Sequence, residues 1–263
     1  MVLCDSHVHF YDCFDSNRFL NNAWNNFYQQ AQKGQNQQKF IATLLLTEAK
    51  QDHWFLKLKE GKYNSKEWSF QETSEAESLY AINKDGHRII IINGRQIVTS
   101  ENLEVLALVT ADKLEDGMPI TNVIEWVKTN DAIPVVPWGF GKWWGKRGNI
   151  LSKSLESFSG ADVFLGDNSG RPWFLGRPGH FKKANRDRRR ILPGSDPLPF
   201  ASEVWRPGSV GFYFNGVLDE DSPATSLRNY IRNPETNITN YMYCERLLPF
   251  VRNQVAMQIR KRI

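Results

Sequence analysis

Cysteine is scarce in this chain, and long apolar runs are missing. The three cysteines, Cys4, Cys13 and Cys244, are too few and too widely spaced for a disulfide framework or a zinc knuckle. No apolar run reaches the roughly 20 residues of a membrane-spanning helix, so we expect no membrane segment. The first residues lack the basic start and apolar core of a signal peptide. Together these absences predict a cytoplasmic protein.

An excess of one charge sign is also nearly absent. The 263 residues include 33 Lys and Arg against 29 Asp and Glu, a net charge of +4. So small an excess does not by itself indicate nucleic acid binding, and we do not expect it. The densest basic stretch, 182–190, is interpreted as the solvated face of a helix, with a nucleic acid surface as the less favoured alternative. Low-complexity tracts and linkers are missing as well, which predicts one domain over 1–263.

Short apolar runs alternate with helical patterns along most of the chain. Strands are expected at 1–9, 40–48, 105–110, 133–138, 161–166, 190–195 and 210–214. Helices are expected at 15–33, 50–60, 120–128, 149–158 and 179–189, the first of them stopping at Gly34. About seven strands separated by helices predict an α/β fold with a parallel sheet, closed or open. The chain length favours the closed form, a TIM-like and distorted β/α barrel.

Two regions depart from this alternation. Between 66 and 100, the pairs Asp85-Gly86 and Asn93-Gly94 are hairpin signals on either side of an Ile-rich run. We therefore predict an inserted antiparallel β-meander, whose exposed edge a homodimer would cover. The segment 222–263 has a helical pattern and is predicted to pack on the barrel.

The first strand is the most informative stretch of the sequence. Side chains two residues apart in a strand point to the same face, so His7 and His9 project together, with Asp5 on that side too. Barrel enzymes place their chemistry at the carboxyl ends of the strands, where both histidines lie. Two neutral imidazoles there suit a divalent metal, zinc first and manganese or iron as alternatives. The other interpretation is two polar residues at a strand end without a metal.

Carboxylates at the ends of other strands are candidates for completing the site. Asp196 follows a late strand and is the strongest of them, as a ligand or as a base. Glu48 ends the second strand and Asp167 the fifth, and both are candidate ligands. Each of the three could instead cap a helix or turn a loop. His180 follows the fifth strand on the same predicted side and is a candidate catalytic proton shuttle or ligand.

Two short motifs resemble those of a known group of enzymes. Asp5-Ser6-His7-Val8-His9 and Gly194-Ser195-Asp196-Pro197 resemble the amidohydrolase superfamily and the related PHP-type metal-dependent phosphoesterases, in a bacterial branch of that group. The resemblance implies a β/α barrel in which His7 and His9 bind metal. It also implies that Asp196 is a ligand or accepts the proton of the attacking water. The group normally adds histidines from its middle strands, and this chain has none between His87 and His180.

Two loops on the predicted active-site side combine aromatic and cationic residues. The first contains Trp138 and Lys142, and the second contains Arg171 and Arg177. Aromatic faces beside cations suit a planar or anionic small molecule, although the tryptophan could equally pack its loop against the barrel. We therefore expect hydrolysis of an ester, amide or phosphoester of a small anionic substrate by metal-activated water. The alternative is a non-catalytic barrel that has lost part of its metal site and binds a small anion or a protein.

Overall fold

The computed structural model of the chain describes residues 1–33, 39–63 and 65–260, so the helix stop predicted at Gly34 lies outside the described residues. The strands are β1 Val2–Val8, β2 Ile41–Leu46, β3 Trp68–Glu72, β4 Ser78–Asn83, β5 Arg88–Ile92, β6 Gly94–Val98, β7 Glu104–Leu108, β8 Ile133–Pro137, β9 Phe164–Asn168, β10 Ile191–Gly194, β11 Gly211–Phe214 and β12 Thr239–Tyr241. The helices are α1 Ser16–Ala31, α2 Trp54–Lys59, α3 Ile120–Thr129, α4 Gly145–Glu156, α5 Gly179–Arg186, α6 Pro223–Arg232 and α7 Leu247–Arg260. None of these helices has the length and hydropathy needed to cross a bilayer.

The fold is mixed α/β with two sheets. The first has the strand order β12-β11-β1-β2-β5-β4-β3, and the second has the order β10-β9-β8-β7-β6. β1 is parallel to β2, and β8, β9 and β10 are parallel to one another, as the alternation of strands and helices predicts. β7 is antiparallel to both its neighbours, and β11 is antiparallel to β1. The expectation of a parallel sheet is thereby corrected to mixed sheets, and no strand ladder within the described ranges closes them into one barrel.

The hairpin predicted at Asn93-Gly94 is wrong. The chain continues through these residues from β5, which pairs with β2, into β6, which pairs with β7 in the other sheet. A Cβ atom at Gly94 would lie 2.6 Å from the carbonyl oxygen of Leu46 and 2.8 Å from that of Ala107. Glycine is therefore required by the close approach of backbones and not by a turn. The turn at Asp85-Gly86 does join β4 to β5 as an antiparallel pair.

Two further boundaries differ from the sequence expectation. β9 begins at Phe164 and ends at Asn168, so it extends past the predicted end at Gly166. The segment 222–263 contains α6 and α7, but it also contains β12, which pairs with β11. Helical spacing of apolar residues did not reveal this short strand, because its hydrogen-bond partner β11 lies 25 or more residues earlier in the sequence.

Apolar residues cover both faces of the central strands. Phe19 and Phe27 of α1 pack on the outer face of the first sheet, and Leu151 of α4 and Phe181 of α5 pack on the second. A third buried cluster combines residues of both sheets; its members include Cys4, Leu45, Ile92, Leu106, Val135, Phe164 and Leu192. Strands buried on two faces explain the continuous apolar runs in the sequence.

The basic stretch 182–190 is only partly a solvated helix face. Arg189 is buried and donates to four main-chain carbonyl oxygens, those of Leu155 (2.9 Å), Phe158 (3.0 Å), Ser159 (3.1 Å) and Val163 (2.5 Å). Arg190 donates in the same way to carbonyl oxygens that follow α6. Both side chains satisfy carbonyls that a helix end leaves without a partner.

Replacement of Arg189 by alanine is therefore expected to lower the free energy of unfolding by about 3 kcal/mol, because buried carbonyls lose their donor. Urea unfolding followed by circular dichroism measures this change. Lys182→Ala is the matched control, since Lys182 is an exposed cation of α5 and its loss should change stability by less than about 0.5 kcal/mol. Equal stabilities of the two variants would contradict the structural role of Arg189.

Candidate metal centre

The two histidines of the first strand lie side by side at its carboxyl end. His7 and His9 are 2% and 5% exposed, and their Nε2 atoms are 3.1 Å apart. The Oδ1 atom of Asp196 lies 3.5 Å from His7 Nε2 and 3.6 Å from His9 Nε2. Residues far apart in the sequence thus form one compact group.

Contacts between β1 and β10 place Asp196 opposite the histidines. Ser6 Oγ donates to the carbonyl of Pro193 at 2.8 Å, and the N–H of Asp196 donates to the carbonyl of His7 at 2.8 Å. A Cβ atom at Gly194 would lie 2.4 Å from the Cβ atom of His7, so only glycine permits this approach. Asp196 has φ 44°, a left-handed conformation that Asp and Asn tolerate better than most residues.

Asp5 does not join this group. Its carboxylate accepts from the N–H groups of His7 (3.3 Å), Ser195 (2.9 Å) and Gly208 (2.8 Å). Burial raises the pKa of Asp5 to about 6, and these donors oppose that rise by stabilising the ionised form. Asp5 therefore fixes three chain segments relative to one another instead of offering a ligand atom.

The side chain of Asn168 is the hydrogen-bond partner of His7 Nδ1. Asn168 Nδ2 donates to the carbonyl of Trp138 and to Asp196 Oδ2, both at 2.8 Å. Two acceptors at Nδ2 set the orientation of the amide, so its Oδ1 faces His7 Nδ1, at 3.3 Å. The tautomer with the proton on Nδ1 donates to this oxygen and presents the lone pair of His7 Nε2 to the side of His9 and Asp196, as a metal ligand must.

The group fits a divalent metal. Burial and the neighbouring His7 lower the pKa of His9 to about 4, so His9 is neutral near pH 7, as a ligand must be. A tetrahedral ion with bonds of about 2.0–2.1 Å holds its ligand atoms about 3.3 Å apart. The observed separations of 3.1, 3.5 and 3.6 Å lie on both sides of that value. Within 1–33, 39–63 and 65–260, no other cluster of three His, Cys, Asp or Glu residues is arranged in this way.

The structure does not bring Glu48 or Asp167 into this group. Glu48 accepts from Arg95 Nη1 at 3.0 Å and from the N–H of Phe55 at 2.6 Å. Asp167 forms a two-pronged ion pair with Arg171, with distances of 2.8 and 3.0 Å. Neighbouring residues of a strand face opposite sides, so β9 directs Asn168 to the histidines and Asp167 away from them.

His180 lies in a different part of the molecule. Its Nε2 atom is 3.0 Å from Ser152 Oγ and 3.2 Å from the carbonyl of Gly148, and its ring packs edge-on against Trp143. Burial lowers the pKa of His180. The residue lines a second cavity, separate from the one that opens onto His9 and Asp196.

The cavity at the metal centre has a volume of about 360 Å³ and is lined by His9 and Asp196. Of the predicted substrate-binding residues, Trp138 and Lys142 line it, and Lys142 forms an ion pair with Glu104. Arg171 lines the second cavity. Arg177 is exposed and lines a surface depression that includes neither His9 nor Asp196.

Sequence reasoning missed two amide side chains of the centre. Gln96 Oε1 lies 3.2 Å from His7 Nε2. Gln96 belongs to β6, which reaches the centre only because the chain does not turn back at Asn93-Gly94 as the sequence predicted. Asn168 lies four residues after Phe164, so both side chains point to the same face of β9, and Phe164 packs between the sheets. Had the end of β9 been predicted at Asn168, the same alternation would have placed the Asn168 side chain at the centre.

A buried ion network forms another part of the cavity wall, and its loops carry no sequence pattern that indicates it. Arg206 is 3% exposed and pairs with Glu203 and Glu245, which are 1% and 6% exposed. Arg206 Nη1 also donates to Ser169 Oγ at 2.9 Å. Charges so deeply buried persist only when they are paired with one another.

Solved structures resemble this chain in fold, whereas no protein-family profile and no curated protein matches it. PsfC from Pseudomonas syringae PB-5123 has a TM-score of 0.55 and 12% identity, over 99% of this chain and 97% of its own. The lesion-specific endonuclease PfuEndoQ from Pyrococcus furiosus has a TM-score of 0.50 and 14% identity, over 90% of this chain and 57% of its own. A two-domain protein from Bacteroides vulgatus, containing a predicted PHP-like metal-dependent phosphoesterase, scores 0.47 with 13% identity, over 92% of this chain and 64% of its own. That last score is too low to support an inference, and the first two establish similarity of fold alone.

Proposed function

We propose that this protein is a metal-dependent hydrolase that cleaves a phosphoester with water. The observation that carries the proposal is the convergence of His7 Nε2, His9 Nε2 and Asp196 Oδ1, which lie 3.1–3.6 Å from one another. With the imidazole lone pairs directed inward, these atoms offer three ligands to one divalent cation. Nitrogen and carboxylate ligands suit zinc, which we expect, and also manganese and iron.

The choice of a phosphoester over a carboxylic ester or an amide rests on the fold. The chain shares its fold with PfuEndoQ, an endonuclease, and nucleases cleave phosphodiesters. The motifs around His7 and Asp196 resemble amidohydrolases and PHP-type phosphoesterases alike, so they support a metal-dependent hydrolase without selecting the bond. The Lys142 ammonium pairs with Glu104 in the cavity wall, and it would offset charge on a small anionic substrate by exchanging that carboxylate for the substrate.

The residues of the chain take distinct roles in this reaction. A divalent ion held by His7 and His9 would supply Lewis acidity, which acidifies water and polarises the substrate. Asp196 is partly exposed to the cavity, and its Oδ2 stays bound to Asn168. Its Oδ1 therefore has one of two roles, a third metal ligand or the acceptor of the proton of the attacking water. Asn168 orients both Asp196 and His7, as an outer partner of metal ligands commonly does.

We further propose that the two sheets together form a distorted seven-stranded β/α barrel. An isolated parallel bridge between Glu48 and Arg95 links the end of β2 to β6, and Ser6 links β1 to β10. With these links the strands β1, β2, β6, β7, β8, β9 and β10 follow one another around a ring. In such a ring the histidines lie at the carboxyl end of a strand, where barrels place their active sites.

Metal content tests the centre directly. Elemental mass spectrometry is expected to find about one equivalent of zinc, manganese or iron per chain. In the His7→Ala/His9→Ala double variant we expect the metal to fall to background, because two of its ligands are gone. His53→Ala/His87→Ala is the matched control, since neither histidine belongs to the group.

Activity tests the reaction class. The metal-loaded protein is expected to hydrolyse bis(p-nitrophenyl) phosphate or p-nitrophenyl phosphate faster than p-nitrophenyl acetate or a p-nitroanilide. A protein that contains no metal as purified, and binds none after incubation with zinc, manganese or iron, would contradict the hydrolase proposal. It would favour the alternative of a non-catalytic protein that binds a small anion or a protein partner.

A further inference from the structure

A second cavity lies beside the candidate metal centre, with a volume of about 430 Å³. Its lining includes three tryptophans and three cations, namely Trp138, Trp143, Trp144, Arg171, Lys183 and Arg186. None of the described residues in this lining is an aspartate or a glutamate. A cation of this lining that is not paired with a carboxylate outside it therefore favours an anionic ligand.

The three cations differ in their availability. Arg171 is held by Asp167 at 2.8 Å, and Lys183 forms an exposed pair with Glu156 at 2.7 Å. Exposed pairs of this kind are weak and exchange readily with another anion. Arg186 is exposed and makes no ion pair or hydrogen bond within the described part of the chain, so its guanidinium is free to bind a phosphate in fork geometry.

An exposed aromatic face borders the same cavity. Trp144 is 51% exposed, and its ring packs edge-on against Phe140 with centroids 5.2 Å apart. This contact restrains the indole, and about half of the residue's surface remains in solvent. Such a ring can stack on a planar ligand group.

The second cavity and the metal centre share a wall. Trp138 lines both cavities, and its carbonyl accepts from Asn168, which also contacts His7. At the rim, Phe140 lines the cavity of the metal centre and touches Trp144 of the second. A ligand with one end in the second cavity that extends past Phe140 and Trp144 would place its other end at the metal centre.

We propose that the second cavity binds the planar anionic end of the substrate, a nucleotide-like group in which an aromatic ring carries a phosphate. The ring stacks on Trp144 and the phosphate pairs with Arg186. The phosphoester to be cleaved then lies at His7, His9 and Asp196. This assignment rests on the proposed function and names the class of substrate for it.

Isothermal titration of the full chain with adenosine 5′-monophosphate, adenosine and inorganic phosphate tests the assignment. Chelator-treated protein is used so that phosphate does not bind through a metal. The monophosphate is expected to bind at least about tenfold more tightly than adenosine or phosphate alone. Arg186→Ala and Trp144→Ala should each weaken its binding by about tenfold, because each removes one of the two contacts. Both residues are exposed, so both variants should fold, which circular dichroism checks.

Two further variants locate the binding. Lys182→Ala, an exposed cation of the same helix outside the cavity, should bind the monophosphate as the unmodified protein does. His7→Ala/His9→Ala should also retain binding, so failure of the metal centre remains distinguishable from failure of the second cavity. The assignment is overturned if the monophosphate binds no more tightly than phosphate. It is equally overturned if binding survives in both cavity variants or is lost only in the double-histidine variant.

Discussion

Exchange of Asp196 for asparagine is expected to lower kcat/KM for phosphoester hydrolysis by about a thousandfold, because a general base contributes about 10²–10⁴-fold. Asparagine is the informative replacement because Asp196 has φ 44°, which asparagine tolerates and alanine does not. The carbonyl of the new side chain can still accept from Asn168 at the position of Oδ2. Loss of activity would then report loss of the carboxylate and not a backbone change. Steady-state kinetics with a nitrophenyl phosphoester measures it.

Metal content of the same samples separates the two roles of Asp196. Retained metal with lost activity indicates a proton acceptor, whereas lost metal indicates a ligand. Asp131→Asn is the matched control, because Asp131 also has a positive φ, 55°, and its carboxylate pairs with Arg228 and Arg232 at the surface. Its exchange should leave kcat/KM unchanged. An Asp196→Asn variant whose activity stays within tenfold of the unmodified protein would exclude Asp196 as the base.

Exchange of Arg206 for methionine is expected to lower the free energy of unfolding by about 3–5 kcal/mol, the usual effect of removing one partner from a buried ion pair. Arg206 is the cation between Glu203 and Glu245, and both carboxylates are buried. Methionine fills a similar volume, so the expected loss comes from charge and not from a cavity: Glu245 loses its cation, and Glu203 keeps only the exposed Arg252, 3.7 Å away. Urea unfolding followed by circular dichroism measures the change.

A triple variant separates charge from packing in this network. In Glu203→Gln/Arg206→Met/Glu245→Gln the buried charges are removed together, so we expect most of the lost stability to return. If the triple variant is as unstable as Arg206→Met, packing and not charge accounts for the effect. A single Arg206→Met variant that unfolds at the same urea concentration as the unmodified protein would show that the network does not stabilise the fold.

Local sequence patterns were sufficient for the elements whose neighbours are close in sequence. The period of two in Asp5-Ser6-His7-Val8-His9 predicts that the two histidines share a face, because strand geometry alone sets that alternation. Helical spacing likewise predicts α1 and α3 near their observed bounds. The mixed α/β class follows from the alternation of such patterns.

Tertiary structure decided which residues complete the centre. The predicted end of β9 lies two residues before the observed end, and the sequence analysis therefore proposed Asp167 as a ligand and overlooked Asn168. Neighbouring strand residues face opposite sides, so only Asn168 points to the centre. Asn93-Gly94 has the composition of a turn, but Gly94 is needed for its contacts with Leu46 and Ala107, which no local pattern contains.

The sequence by itself therefore determined the class of fold, the pairing of His7 with His9 and the candidacy of Asp196. Only the tertiary structure decided that Gln96 and Asn168 join them, and that Glu48 and Asp167 are held by arginines instead. The physical reason is the range of the interactions. Backbone alternation acts between neighbours along the chain, whereas register between strands and the pairing of buried charges act between segments far apart in sequence.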